Sequence, residues 1–304
     1  MKVFVTGATG FVGEEIVRQL HQAGHSVRML VRAKPATRVE EARERKAEIH
    51  VGNIVDGESL HGALKGIDAV IHLVGIISEV GESTFENIHV RGTKNIVAAA
   101  QEQGVTRFVH MSALGTRQNA VSHYHQTKWI AEEMLRGSGL DYTIFRPSLI
   151  FGPRDHFVNL FAKIIRFSPI VPLLGRRDAK FQPVAIETVA DAFVKSLKEF
   201  LAVGQTFDLA GPEVFTMSGI IDQILTVTNR KRLKLPIPAA IARMQAVFLE
   251  FLFPRVLHKA APLNRDQLVM LQEDNVGNAQ PANELFGLTV VPFREGIGKY
   301  LGNR

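Results

Sequence analysis

The chain has 304 residues, 46% of them hydrophobic and 22% charged, with a formal net charge of +6. That composition excludes wholesale disorder, and a chain this long can bury about three quarters of its unfolded surface as one or two domains. It has no cysteine, which excludes disulfides, thiolate catalysis, zinc–cysteine sites and iron–sulfur ligation. Residues 28–46 hold seven Lys/Arg against three Glu, and residues 229–265 hold eight against one. Such clusters read either as anion-binding surfaces or as solvated faces. No apolar run approaches the roughly 18–20 residues of a membrane span. The run Val3–Val5 is too short for a signal peptide. The expectation is a soluble cytoplasmic protein.

In chain order, short apolar runs alternate with helix-like segments. Strands are predicted at Val3–Thr6, Val27–Val31, Glu48–Val51, Ala69–Val74, Arg107–Met111 and Tyr142–Arg146. Between them fall helices at Phe11–Ala23, Pro35–Lys46, Glu58–Lys65, Phe85–Gln103 and Ser122–Arg136. Gly24, Gly104 and Gly137 supply helix stops. This alternation implies an α/β fold, a doubly wound parallel sheet covered on both faces. From Pro147 the rhythm changes. Residues 147–183 read as loops around one helix, Phe157–Phe167. Ile186–Phe200 reads as a helix and Thr206–Leu209 as a strand. The expected division is a core over 1–210, including the substrate-side loops 147–183, and a smaller C-terminal cap over 211–304.

The sharpest motif is Thr6-Gly7-Ala8-Thr9-Gly10-Phe11-Val12-Gly13, placed between the first strand and the first helix. Gly7 permits the tight turn, Gly10 lets backbone approach a pyrophosphate, and Gly13 lets helix and sheet pack closely. The helix N-terminus then offers unpaired N–H groups to phosphate. The loop therefore assigns Gly7, Thr9, Gly10, Phe11, Val12 and Gly13 to a dinucleotide, and the core reads as a Rossmann fold. Arg32 follows the second strand, with Lys34 and Arg38 beyond it and no acid before Glu40. A guanidinium there favours a 2′-phosphate, hence NADP(H) over NAD(H). Asn53 and Ile54 after the third strand, and Leu73, Val74 and Gly75 at the end of the fourth, complete the expected cofactor set.

Tyr124 and Lys128 lie four apart on one predicted helix face. A nearby ammonium would lower the phenol's pKa and ready it for proton transfer coupled to hydride transfer. Ser112, just past the fifth strand, either reaches a substrate oxygen or simply forms a turn. His123 and His125 read as surface residues. His21 and His25 lack a third ligand, so no metal site is assigned.

These residues, with Gly92-Thr93-Lys94-Asn95 and Arg146-Pro147…Phe151-Gly152-Pro153, resemble the extended and atypical short-chain dehydrogenases/reductases over residues 1 to about 210. The resemblance implies Tyr124 as acid/base, Lys128 as its electrostatic partner and ribose ligand, and Ser112 as a carbonyl stabiliser. Arg154-Asp155-His156-Phe157, Asn159-Leu160-Phe161 and Gln182-Pro183-Val184 are similar to the NADPH-binding accessory subunit of respiratory complex I and its bacterial relatives. The expected activity is hydride transfer between NADP(H) and a carbonyl or alcohol. The alternatives are a non-catalytic dinucleotide-binding subunit or redox sensor, which Ala113 after Ser112 supports, and a sugar-nucleotide epimerase or dehydratase. The apolar segment Ile237–Phe253 is expected either to close over an apolar substrate or to meet a membrane or protein partner. The basic segment around it shows no nucleic-acid motif beyond charge, so nucleic acid is not the expected partner.

Overall fold

The computed structural model describes residues 1–33, 46–253 and 261–302. The expected helix Pro35–Lys46, apart from Lys46, lies outside the described residues, as do Lys34 and Arg38. Seven strands form one sheet: β1 (Lys2–Thr6), β2 (Ser26–Val31), β3 (Glu48–Val51), β4 (Ala69–His72), β5 (Arg107–Met111), β6 (Asp141–Pro147) and β11 (Gln205–Leu209). Their order is β11-β6-β5-β4-β1-β2-β3 and every pair is parallel. The order reverses between β1 and β4, which opens a crevice at the carboxyl ends of those strands.

Burial explains the apolar strand runs. Val3, Val5, Met29, Ile71, Val109 and Phe145 face one layer, built from α1 (Phe11–Gln22) and α5 (Ile186–Ser196). Their neighbours Phe4, Leu30, Val70, Phe108 and Ile144 face the other, built from α2 (Gly92–Glu102) and α3 (His123–Arg136). Strand side chains alternate between faces, so both parities must be apolar when both faces are covered. A wider π-type turn, Glu86–Arg91, leads into α2 without a break. The helix expected over 58–65 is reduced to the single turn Glu58–Leu60. Gly62 and Gly66 both take positive φ there and stop it.

A third apolar cluster joins the segment after β6 to the C-terminal part. It unites Phe151, Phe161, Val171 and Phe181 with Ile220, Ile221, Phe293 and Ile297. Here the segment read as loops contains α4 (Phe157–Phe167) and four short strands, β7 (Ile150–Phe151), β8 (Ile170–Leu173), β9 (Lys180–Phe181) and β10 (Val184–Ala185). Strand β8 pairs with the later strand β13 (Leu233–Pro236), and β9 with β12 (Phe215–Thr216). Met217–Val227 forms α6. Two-residue strands are too short to leave a periodic trace in sequence. The apolar segment forms α7 (Ala239–Leu252), but it buries only Ala242 and Ala246, against Leu268. Its large residues Ile241, Met244, Val247 and Phe248 are exposed, contrary to a helix closed over a pocket.

One buried charge organises α3. Glu132 is fully buried and its carboxylate accepts from Arg146 Nε at 2.8 Å and Nη2 at 2.6 Å, and from Arg136 Nη2 at 2.8 Å. The fork locks α3 onto β6 and accounts for the arginine of Arg146-Pro147. Removing one member of a wholly buried pair costs about 3–5 kcal/mol. Both guanidiniums keep about a quarter of their surface, so they can rehydrate. Glu132→Ala should therefore lower stability by about 2 kcal/mol, read as a lower urea midpoint at unchanged slope.

Candidate active site

The glycine loop is built as a cradle. Gly7 takes φ +72°, and a side chain there would meet the backbone of Leu73 and Val74 at 3.2–3.3 Å. A methyl at Gly13 would stand 2.7 Å from the Ala8 Cα. Gly10 is the N-cap of α1 and, having no side chain, leaves the first-turn N–H groups uncapped. A dinucleotide pyrophosphate fits this arrangement: it supplies the missing acceptors at the positive end of the helix. The same turn ties β1 to β4. Thr6 Oγ1 lies 2.6 Å from His72 Nδ1, and His72 Nε2 lies 3.2 Å from Thr93 Oγ1.

Lys128 reaches this crevice from α3. Its side chain is almost wholly buried, and Nζ donates to the Met111 carbonyl at 3.0 Å. A methyl on Gly75 would stand 3.0 Å from Nζ, so Gly75 is the residue that admits the ammonium. Gly7, Leu73-Val74-Gly75 and Lys128 thus pack together at the switch point. Burial pulls the Lys128 ammonium down to about 8, against the opposing field of Glu132. Burial first, and the Lys128 charge second, hold three neighbouring imidazoles neutral. His72 falls to about 3, His89 to about 2, and His110 well below the ordinary range. His110 stacks on His72 at 5.4 Å, and neither of its ring nitrogens has a hydrogen-bond partner among the described residues.

Tyr124 lies one turn before Lys128. Its ring meets His89 edge-on at 5.3 Å and Phe85 at 5.9 Å. No described residue hydrogen-bonds its hydroxyl. Burial first, and the Asp266 carboxylate second, push its phenol up to about 12. The expected lowering by Lys128 is absent: burial and the Asp266 carboxylate both act in the opposite direction. Ser112 is engaged within the protein. Its buried hydroxyl donates to Thr116 Oγ1 at 3.3 Å, and the half-buried residue beside it is Ala113. Ile54 faces the core, pressed under Gly92, and its carbonyl accepts from Asn95 at 2.8 Å. Asn53 folds back to accept from the Val55 N–H at 3.3 Å. Arg32 is exposed at the end of β2.

Sequence reading missed three residues. His89 Nε2 accepts from the Ile76 N–H at 3.1 Å while Nδ1 lies 2.9 Å from Thr127 Oγ1, so a neutral ring pins the loop after β4 to α3. Asp266 accepts from the N–H groups of His123 and Tyr124 at 2.8 and 3.0 Å, capping α3 beside the Ser122 cap. Asn264 donates to the Ile77 carbonyl at 2.9 Å. The last two lie in α8 (Arg265–Met270) and its capping residue; the capping box Asn264…Gln267 is a signal that could have located the helix, though not its contact with α3. His125, expected at the surface, is buried, with Nδ1 2.8 Å from Ser122 Oγ.

Comparison with known proteins agrees with this geometry. A family model described as NAD(P)H-binding matches residues 7–156. This match is consistent with the extended short-chain dehydrogenases/reductases, and the N-terminal half of the chain is an NAD(P)H-binding domain. It is 29% identical over 286 residues to the mitochondrial NADH dehydrogenase 1 alpha subcomplex subunit 9 of Arabidopsis thaliana, covering 90% of this chain and 70% of that protein. It is 32% identical over 194 residues to a ceramide reductase of Caulobacter vibrioides, covering 64% of this chain and 59% of that one. Its fold matches the UDP-glucose 4-epimerase of Thermotoga maritima with a TM-score of 0.76 at 20% identity, covering 100% and 99% of the two chains. The chain therefore spans about two thirds of the curated relatives' length. The cofactor class is a nicotinamide dinucleotide.

The buried ammonium makes a prediction about stability. Its pKa is about 8 folded, against 10.5 for an ordinary lysine. The folded state thus binds fewer protons between those values, and stability is lost as pH falls from 10.5 to 8. Lys128→Met should be the more stable protein near pH 7 by up to about 3 kcal/mol. The advantage should shrink as pH rises from 8 towards 10.5, which denaturant titrations across that range will read.

Proposed function

We propose that the chain is an NADP(H)-dependent reductase acting on the carbonyl of an apolar substrate, with Tyr124 as proton donor. The observation that carries this reading is the juxtaposition at the switch point. Lys128 lies against Gly75 and the Met111 carbonyl, and Tyr124, one turn earlier, has a hydroxyl that no described residue occupies. The nicotinamide ring, when bound, supplies hydride to the carbonyl carbon. The Tyr124 O–H bond breaks as its proton passes to the carbonyl oxygen, and solvent restores that proton. A phenol raised by burial is protonated at neutral pH, the form a donor needs. The Lys128 ammonium then offsets the negative charge left on the phenolate, an interaction worth more in a dry site than in water.

The apolar substrate class is supported by the surroundings of Tyr124. Phe85 and the neutral ring of His89 flank it and bring no charge. The Caulobacter relative is named for reduction of a lipid, ceramide. Arg32 at the end of β2 supports NADP(H) over NAD(H), because a guanidinium can fork onto the 2′-phosphate. A second reading, a dinucleotide-binding subunit without turnover, is favoured by the engaged Ser112 and by Ala113 beside it.

Two measurements test these assignments. With deuterated NADPH and a lipid extract, label should enter an apolar alcohol with the parent chain. Transfer should fall by about 10²–10⁴-fold in Tyr124→Phe, and no transfer with dinucleotide bound would select the second reading. Arg32→Ala should weaken NADPH at least tenfold by calorimetry while leaving NADH within about twofold, since the two cofactors differ only in the 2′-phosphate.

A further inference from the structure

Far along the chain from the switch point, apolar and cationic side chains share one exposed region. In the β8–β13 ribbon, Leu233 stands opposite Ile170, and both are exposed, at 64% and 40%. Leu235, two residues on, is exposed at 45% on the same ribbon face. The ribbon runs directly into α7, where the Ile237 N–H donates to the Leu173 carbonyl at 3.0 Å. On α7, Met244 and Phe248 are exposed at 70% and 61%, one turn apart on one face. Phe167, at the end of α4, is 74% exposed beneath the Arg166 guanidinium. Scattered exposed apolar residues are ordinary, but an accumulation like this marks an interaction surface.

The charges beside it are of one sign. A cavity of about 270 Å³ is lined by Lys163, Arg166, Phe167 and Arg230. Arg230 is placed by its bond to the Arg166 carbonyl, and Arg232 by a 2.8 Å bond to the Ile165 carbonyl. Among the described residues, none of Lys163, Arg166, Arg230, Lys231, Arg232 or Arg243 is within ion-pair distance of a carboxylate. Asp222 and Glu250, the carboxylates nearest in the chain to Arg230–Arg232 and to Arg243, are already taken by Lys234 and Arg265. α4 itself contains no acid.

We infer that the β8–β13 ribbon, the exposed stripe of α7 and the cationic cavity at the end of α4 form a face that docks on a bilayer surface containing anionic phospholipid. An apolar stripe rimmed by unpaired cations is the composition an interfacial site requires: acyl chains accept the stripe and headgroup phosphates neutralise the rim. A second copy of the chain offers no such neutralisation, since it brings the same cations to the contact. No helix among the described residues is long and apolar enough to cross a membrane, so the contact is peripheral. The inference does not depend on the hydride chemistry.

The test is flotation of the full chain with vesicles of phosphatidylcholine, with and without phosphatidylglycerol. Binding is expected only to the anionic vesicles, and it should fall as salt is raised. Combined Lys163→Gln, Arg166→Gln and Arg230→Gln should weaken it about a hundredfold, at about fivefold per cation. Met244→Ser with Phe248→Ser should weaken it as well. Both variants change exposed side chains, so thermal midpoint and NADPH binding should match the parent. Four results would overturn the inference: no binding to anionic vesicles, equal binding to neutral ones, binding undiminished in both variants, or a dimer that Phe248→Ser dissolves.

Discussion

An ammonium buried to within a few per cent of complete exclusion from water is the constraint around which this molecule is arranged. Lys128 has one carbonyl to donate to, that of Met111, and one glycine, Gly75, that leaves it room. Everything close to it answers its charge. Glu132, one turn further along α3, supplies a counter-field, and is itself held in place by Arg136 and Arg146. The imidazoles of His72, His89 and His110 stay neutral, since a second positive charge in the same dry space would be prohibitive. A site that pays in stability for a charge it keeps is a common mark of function.

The glycine loop answers a second requirement, that a helix begin without a cap of its own. Serine, threonine and aspartate are favoured caps for the first N–H groups of a helix, and α3 uses Ser122 and Asp266. α1 has Gly10 in that place. The contrast between the two helix starts separates a terminus closed by protein from one left for a phosphate. Both lie at the carboxyl edge of the same sheet, so one edge carries the glycine loop and the helix of Tyr124 and Lys128 together.

How much of this could be read beforehand depended on how local the signal was. Strands such as β1 and β4 announce themselves because they are apolar on both parities, and the loop at Gly7 because three glycines fall at a fixed spacing. Tyr124 and Lys128 were legible as a pair because i and i+4 share a helix face. The state of the phenol was not, because burial and the charge of Asp266, 142 positions away, decide it. The engagement of Ser112 was illegible for a similar reason: residue type fixes a hydroxyl but not whether Thr116 will engage it. His89 carried no pattern at all. Its role exists only once the Ile76 amide and Thr127 have been brought to it by separate elements. The short strands of the C-terminal half failed for want of length.

The cap that Asp266 places on α3 has a consequence for the order in which the molecule can be made. The dinucleotide loop, the switch-point strands and Lys128 are all encoded before residue 130. They become available to one another early, through closures of modest length. The cap arrives from the far end of the chain, after nearly all of the remaining sequence has been synthesised. A growing chain thus holds nearly all of the glycine-loop half while the start of α3 has only Ser122 to hold it. The helix that carries Tyr124 becomes fully framed only when the C-terminal strap has closed. A truncated or nascent chain then has its glycine loop in place before the start of α3 is secured.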